Sequence, residues 1–384
     1  MSKCLVIKND GIGDMVLSID ILNHISQFHG GKIDILCCDI STNIVKKYIN
    51  ADKIYSVSRD PHFLYPPAAG RTIKNYIKDI IKSLLYRPTK RDREVKNTLS
   101  NVQYDVVIVL RRYIRQSAFY FMSSVKAKNK LCFWQYPTNL TLKKAALLSK
   151  DWEHVEAAHS ILHEGEYYRN ILNKYYGEIP YKYIYDSNIC DDRCRNQKAI
   201  AAILGNVKKG ISPEIWKEVI KTIIKLGYKV DIYGGKDTHG EYQKFCQENN
   251  IKLYANKLSL SDSGDKIKEY PTVIGNDTGL VHVATFNSRK VVIFCSGETP
   301  LRFFPWTNNN NQYVIYNGLE CFDCGYCTKN IRYCVKTMDT EKMVSLFIDI
   351  ISNERLLPGI YNLTQHREYN IAHRWIDNLH GMLK

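Results

Sequence analysis

The residues best suited to chemistry gather in three places along the 384-residue chain. The first is Lys8-Asn9-Asp10-Gly11-Ile12-Gly13-Asp14, directly after the apolar run CLVIK. Gly11 and Gly13 allow a tight turn and the close approach of a ligand. Asp14, expected at the start of the next helix, could take a proton from an attacking hydroxyl. Aspartate is equally a favoured helix cap. The second place is Gly275-Asn276-Asp277-Thr278-Gly279-Leu280-Val281-His282. Gly279 and the amides that open the helix there suit an anion, because N–H groups and the helix dipole both favour negative charge. Thr278 adds a hydroxyl donor, Asp277 can accept from sugar hydroxyls, and His282 lies one turn on along the same face. The third is Cys321-x-x-Cys324-x-x-Cys327, then Cys334. Four thiolates can hold zinc tetrahedrally or an iron centre, and a four-ligand metal would be structural because no position stays open. Reduced or disulfide-forming structural cysteines are the other reading.

A dinucleotide fingerprint fits the first loop only in part. It needs G-x-G-x-x-G, whereas Val16 stands where the third glycine belongs. Asp39, after the second strand, could imitate the acid that binds ribose. A nicotinamide-dependent oxidoreductase is therefore one rival reading, and a non-catalytic nucleotide-sugar-binding protein is another.

Elements able to position these loops alternate in two stretches. The first contains CLVIK (4–8), a helix after Asp14 with Met15, Ile19, Leu22 and Ile25 on one stripe, and KIDILCC (32–38). It continues with a short helix near 41–48, KIYSVS (53–58), YDVVIVL (104–110) and NKLCFW (129–134). Continuous apolar runs of this length read as strands buried on both faces. A polar, irregular segment, 186–198, reads as a linker. The second stretch runs through AIAAILG (199–205), a helix begun by Pro213 and ended by Gly227, and KVDIYGG (229–235). A helix near 240–249, IKLYA (251–255), TVIGND (272–277), a helix from about 280 and KVVIFCSG (290–297) follow. The expectation is an α/β chain of two doubly wound domains, 1–185 and 199–350, with a tail at 351–384 that packs on the first domain or frays. Ligands of such sheets bind at the carboxyl ends of strands.

Taken together, Ile7 through Leu17, Asn276 through Ala284 and Gly297-Glu298-Thr299-Pro300 resemble glycosyltransferase family 9, which includes the lipopolysaccharide heptosyltransferases. Lys209 ahead of Trp216, Gly234-Gly235 followed by Glu241, and Cys334-Val335-Lys336 are similar to further parts of that family's pattern. Glu298 departs from the proline usual there, Lys208 rivals Lys209, and Asp237 rivals Glu241. The resemblance implies a GT-B architecture, two Rossmann-like domains facing across a cleft. It implies inverting transfer from a nucleotide sugar, typically ADP-heptose, to a lipid-linked saccharide, with no cofactor needed for catalysis. In that scheme Asp14 is the base on the acceptor-side loop of Asp10, Gly11 and Gly13. Lys209 neutralises the leaving diphosphate, Thr278 and Gly279 hold phosphates, Asp277 holds the donor sugar with His282 alongside, and Glu241 holds the ribose. One branch of the family glycosylates autotransporter proteins and carries an iron-binding cysteine finger, an alternative to which Cys321, Cys324, Cys327 and Cys334 relate.

Composition narrows the partners. With 54 Lys and Arg against 39 acids the chain carries a formal +15, which favours polyanionic partners such as phosphorylated ligands or an anionic membrane. Residues 71–96 hold nine basic and three acidic side chains around an amphipathic helical pattern, which suits docking on an anionic leaflet. Nucleic acid fits less well, because no binding motif accompanies the charge. No apolar run approaches the ~20 residues of a membrane span. The apolar stretch near the amino terminus is too short for a signal peptide core. The expected setting is cytoplasmic, peripheral at the inner face of a bacterial inner membrane, where twelve cysteines are more often thiols or metal ligands than disulfides.

Overall fold

The computed structural model describes residues 2–58, 87–111, 116–133, 152–154, 163–180, 198–205, 210–288, 290–296, 302–306, 311–318, 333–352 and 356–363. The chain divides into two compact units, Met1–Lys182 and Tyr183–Lys384. The basic segment 71–86 and most of the expected linker lie outside the described residues, as do 364–384.

The first unit is built on strands β1 (Cys4–Lys8), β2 (Ile33–Cys38), β3 (Ala51–Val57), β4 (Gln103–Leu110), β5 (Lys126–Phe133) and β6 (Glu153–His154). They form one sheet in the order β3-β2-β1-β4-β5-β6, and every pairing is parallel. The chain moves outward from β1 to β3, then returns to the other side of β1 with β4. Between β1 and β4 the two halves diverge, and the loops leaving those strands run to opposite sides, which opens a crevice at their carboxyl ends. Helices α1 (Ile12–Val16), α2 (Ile19–Phe28), α3 (Thr42–Tyr48), α4 (Lys90–Ser100), α5 (Gln116–Met122) and α6 (Glu164–Tyr176) flank the sheet. The single helix expected after Asp14 is two. It breaks at Leu17-Ser18, where the Ser18 hydroxyl donates to the Asp14 carbonyl at 2.8 Å, a local bond that competes with helix continuation.

The second unit repeats the plan. Strands β7 (Ala199–Ile203), β8 (Lys229–Tyr233), β9 (Lys252–Leu253), β10 (Thr272–Asn276), β11 (Lys290–Cys295), β12 (Gln312–Tyr316) and β13 (Gly359–Asn362) lie in the order β13-β12-β11-β10-β7-β8-β9, again all parallel. Here the switch lies between β7 and β10. Helices α7 (Pro213–Lys225), α8 (Lys236–Glu248), α9 (Leu260–Ile267), α10 (Gly279–Thr285), α11 (Tyr333–Lys336) and α12 (Thr340–Ser352) accompany it. Successive strand residues face opposite ways. Ile200 and Ala202 join a core with Trp216, Ile220 and Phe347, whereas Ala199, Ala201 and Ile203 join another with Val281 and Ala284. Both faces are thus dry, which is why these strands read as unbroken apolar runs.

Several elements depart from the sequence reading. Helix α8 begins at Lys236, four residues early, because Gly235 caps it in extended conformation. Strand β12 and helix α9 were not anticipated. Gly359–Asn362, assigned above to a tail, pairs with β12 as the edge strand of the second sheet.

Each sheet buries an aspartate on its second strand. Asp34 accepts from the Tyr104 hydroxyl at 2.8 Å, and Asp231 from the Tyr270 hydroxyl at 2.5 Å. Burial raises the Asp34 carboxyl above the ordinary range, against the opposing effect of the Tyr104 bond. A carboxyl raised in the folded state contributes stability that is complete below the unfolded value, about 3.9, and is lost as pH climbs through the raised one. Asp34→Asn should therefore gain on the parent protein as pH rises from about 4 to 8, read as the difference in urea midpoints. A pH-independent difference would contradict this.

Candidate functional site

In the first unit the sequence-predicted loop sits at the switch point. Gly11 is the extended N-cap of α1, and Asp14 is the third helical residue. The Gly11 N–H donates to Asp14 Oδ2 at 3.2 Å. Asp14 therefore does cap the helix, reaching back from inside it, and the contact fixes its carboxylate while leaving it half-buried. A Cβ on residue 11 would stand 2.9 Å from that oxygen, so a larger residue there would displace the Asp14 carboxylate from this contact. Gly13 occupies the second helical position.

Beneath the loop lies a buried polar network. Lys8, fully buried, donates to Asp10 Oδ2 at 2.7 Å and to the Tyr168 hydroxyl at 3.2 Å. Its ammonium stands 4.3 Å from the centre of the Tyr168 ring, a cation–π distance. Tyr168 in turn donates to Glu164 Oε1 at 2.7 Å. Burial, reinforced by the charges of Glu164, Asp10 and Asp14, drives the Tyr168 phenol far above its ordinary range, so it remains a neutral donor. Helix α6 is held against α2 by the Arg169–Asp20 ion pair at 3.0 Å. Asn9 ties the loop sideways, accepting from Arg111 Nη1 at 2.7 Å and donating to Ser117 Oγ at 3.0 Å. Sequence reasoning placed Lys8 and Asp10 in this loop without foreseeing that Lys8 anchors it from below, and missed Arg111, Glu164 and Tyr168. The available signal was a charged residue at the carboxyl end of an apolar strand, at both Lys8 and Arg111.

In the second unit the Asp277-Thr278-Gly279 loop leaves β10, again at the switch point. Asn276 builds it. Its Oδ1 accepts from Trp216 Nε1 at 3.2 Å and from the Ile211 N–H at 3.4 Å, while its Nδ2 donates to the Gly205 carbonyl at 3.0 Å. Gly275 permits the closeness of β7 and β10, since a Cβ there would stand 2.4 Å from the Ile203 carbonyl oxygen. Thr278 is the extended N-cap of α10 and Gly279 its first residue, so the opening amides point out of the helix. The Thr278 hydroxyl is buried without a partner among the described residues. Asp277 is about one-third exposed.

His282 is turned away from solvent. Its ring stacks on Phe304 at 4.1 Å, with Trp306 and Phe303 beyond, and Nε2 faces Asp277 Oδ1 at 3.7 Å. The structure thus brings Asp277, Thr278, Gly279 and His282 together. Glu241 sits on α8 and accepts from Lys217 Nζ at 2.8 Å, a partner the sequence did not suggest. Its rival Asp237 is exposed in the first turn of the same helix. Lys208, Lys209 and 297–300 lie outside the described residues, as do Cys321, Cys324 and Cys327. Cys334 is buried, and no group of metal-ligating side chains occurs among the described residues.

Two parallel sheets with alternating helices, each carrying polar chemistry at its switch point, define the α/β plan of GT-B glycosyltransferases. The family model described as glycosyltransferase family 9 (heptosyltransferase) matches residues 93–331, more than half the chain, and the chain belongs to that family. It is a glycosyltransferase. Among solved structures, the glycosyl transferase family 9 protein from Veillonella parvula DSM 2008 is similar at 16% identity and TM-score 0.62, over 89% of this chain and 95% of that one. E. coli heptosyltransferase WaaC with ADP-2-deoxy-2-fluoro heptose is similar at 16% and 0.61, over 91% and 99%. E. coli ADP-heptose lps heptosyltransferase II follows at 13% and 0.57, over 92% and 100%. At such identities the likeness is one of fold. No curated protein sequence matches the chain.

Removing the Asn276 side chain orphans two buried donors and a carbonyl, each worth about 1–3 kcal/mol when left unmade. Asn276→Ala should lower unfolding stability by roughly 2–4 kcal/mol. Unchanged denaturant midpoints would show that Asn276 does not hold this loop.

Proposed function

We propose that the chain transfers heptose from ADP-heptose, with inversion, to a lipid-linked saccharide such as a lipopolysaccharide core. The observation that carries this reading is the Asp277-Thr278-Gly279 turn at the second sheet's switch point. It offers helix-opening amides and a hydroxyl without a partner among the described residues to a diphosphate, with a one-third exposed carboxylate beside them for sugar hydroxyls. Breaking the sugar–phosphate bond puts negative charge on the departing ADP, and preorganised N–H donors stabilise it. Lys209 serves the same charge in this reading, and Glu241, exchanging Lys217 for a ligand, serves the ribose. The solved WaaC structures, one with ADP and one with ADP-2-deoxy-2-fluoro heptose, make an adenine nucleotide the first donor to test.

Asp14 is the base in this mechanism. A direct displacement needs one group to take the proton from the acceptor hydroxyl, and a single attack on the anomeric carbon inverts it. The Gly11 amide holds one carboxylate oxygen, which aims the side chain before substrate arrives. The formal +15 supports a place at the anionic cytoplasmic face of the inner membrane, where a lipid-linked acceptor resides. Among the described residues no helix is long and apolar enough to cross a membrane.

Asp14→Asn keeps size and the bond to Gly11 but not the basicity. It should lower transfer of heptose from ADP-heptose by about 10²–10⁴-fold while ADP affinity stays within twofold. Full turnover by the variant would reduce Asp14 to a helix cap.

A further inference from the structure

The first turn of α6 stands against the short helix that carries Asp14. A Cβ on Gly165 would lie 3.6 Å from the carbonyl oxygen of Leu17, the residue that ends α1. Glu164, just before it, is the first residue of α6 and is 1% exposed. A carboxylate so buried needs compensation. The Tyr168 hydroxyl supplies part of it, donating to Oε1 at 2.7 Å. The opening of a 13-residue helix supplies the rest, because its dipole favours negative charge at that end.

Tyr168 joins this carboxylate to the loop after β1. Its hydroxyl accepts from Lys8 at 3.2 Å and donates to Glu164, so a chain of hydrogen bonds runs from the end of β1 to the start of α6. Each bond in such a chain polarises the next. Beyond burial, the charges of Glu164, Asp10 and Asp14 all oppose ionisation of this phenol. Asp14 and Glu164 therefore lie within electrostatic reach of the same buried oxygen.

The charges around Asp14 come from four directions. The end of β1 brings Lys8 and Asp10, paired at 2.7 Å. The end of β4 brings Arg111, held through Nη1 by Asn9. Segment 39–48 packs on the other flank of α1 and brings Asp39, Lys46 and Lys47, all exposed and so screened by water. Helix α6 brings Glu164, with His163 as its cap. Arg169, further along α6, faces Asp20 and Glu166 at 3.0 and 3.7 Å. The direct partner that holds Glu164 is thus a neutral phenol. A like charge fixed nearby disfavours ionisation of a second carboxyl and so strengthens it as a base.

We propose that Glu164, acting through Tyr168, is a positioning residue for Asp14: it fixes the turn that presents this base and keeps its affinity for a proton high. The word base rests on the transferase reading. The coupling of Glu164 to Asp14 is a property of the first unit alone.

The test follows the Asp14 carboxyl directly, in the full chain labelled with carboxyl-¹³C aspartate. Its NMR signal is the one lost in Asp14→Asn. Glu164→Gln keeps size and can still accept from Tyr168. It should lower the pH midpoint of the Asp14 signal by about half a unit or more. Tyr168→Phe strips the buried Glu164 of its donor, so that it takes up a proton, and should move the midpoint the same way. That variant serves if Glu164→Gln fails to fold. Glu164→Asp keeps the charge and should leave the midpoint where the parent has it. In heptose transfer from ADP-heptose, the acid limb of the pH profile should move to lower pH with the midpoint, while ADP affinity is unchanged. A midpoint that neither Glu164→Gln nor Tyr168→Phe moves overturns the proposal, whatever happens to stability. So does a midpoint that Glu164→Asp lowers as far as Glu164→Gln does, because charge is then not the cause. A midpoint that moves as expected in a protein without ADP-heptose transfer upholds the coupling and sinks the donor reading instead.

Discussion

One amide side chain organises the second unit's site. Asn276 spends both ends of its amide on three elements: the Gly205 loop after β7, the segment entering α7, and Trp216 inside α7. Trp216 is the largest wholly buried side chain among the described residues and packs edge-on against Phe294 of β11. The hydrogen-bonding geometry of Asn276 is therefore locked to the core. Because Asp277, Thr278 and Gly279 follow directly, their positions inherit that rigidity. Gly275 is the steric counterpart, letting β10 lie against the Ile203 carbonyl. A site that must present amides to a leaving diphosphate gains from such preorganisation, since nothing has to reorient when charge develops.

The first unit reaches a similar end by charge. Lys8 is buried at the end of an otherwise apolar strand, and it is compensated by Asp10 and by the Tyr168–Glu164 pair. Breaking such a pair on one side leaves a stranded charge, which is strongly destabilising. The loop that carries Asp14 is thus anchored from below by ionic contacts and from the side by Asn9. Asp14 itself stays at the rim. Its contact with the Gly11 amide is local, made within the turn that opens α1.

Much of this was legible in the sequence. Strands buried on both faces appear as unbroken apolar runs, so β1, β4, β7 and β10 were found within a residue or two. Pro213 and Gly227 bracketed α7 correctly. Strand β12 was missed because its neighbours in sequence are polar and its five residues hold two tyrosines and a glutamine. The edge strand β13 was missed because four residues pairing on one side carry too little pattern. The strand-end glycines and acids advertised both switch-point loops. Their support did not show: Tyr168 and Glu164 lie about 160 residues from Lys8, and only the packing of α6 on α2 brings them there. Glu241 was legible as an acid after a glycine pair, but its engagement by Lys217 depends on how α7 and α8 pack.

The account stands or falls on a nucleoside diphosphate seated at the Asp277-Thr278-Gly279 turn. The most direct measurement is the thermal unfolding of the purified protein with ADP, UDP, GDP and NAD, each at high excess. A ligand at one hundred times its dissociation constant stabilises the folded state by about 2.7 kcal/mol, which is readily seen. A selective upward shift with ADP, abolished when Thr278 and Gly279 are replaced, is the predicted result. A shift with NAD alone, or an ADP shift indifferent to those replacements, would contradict it.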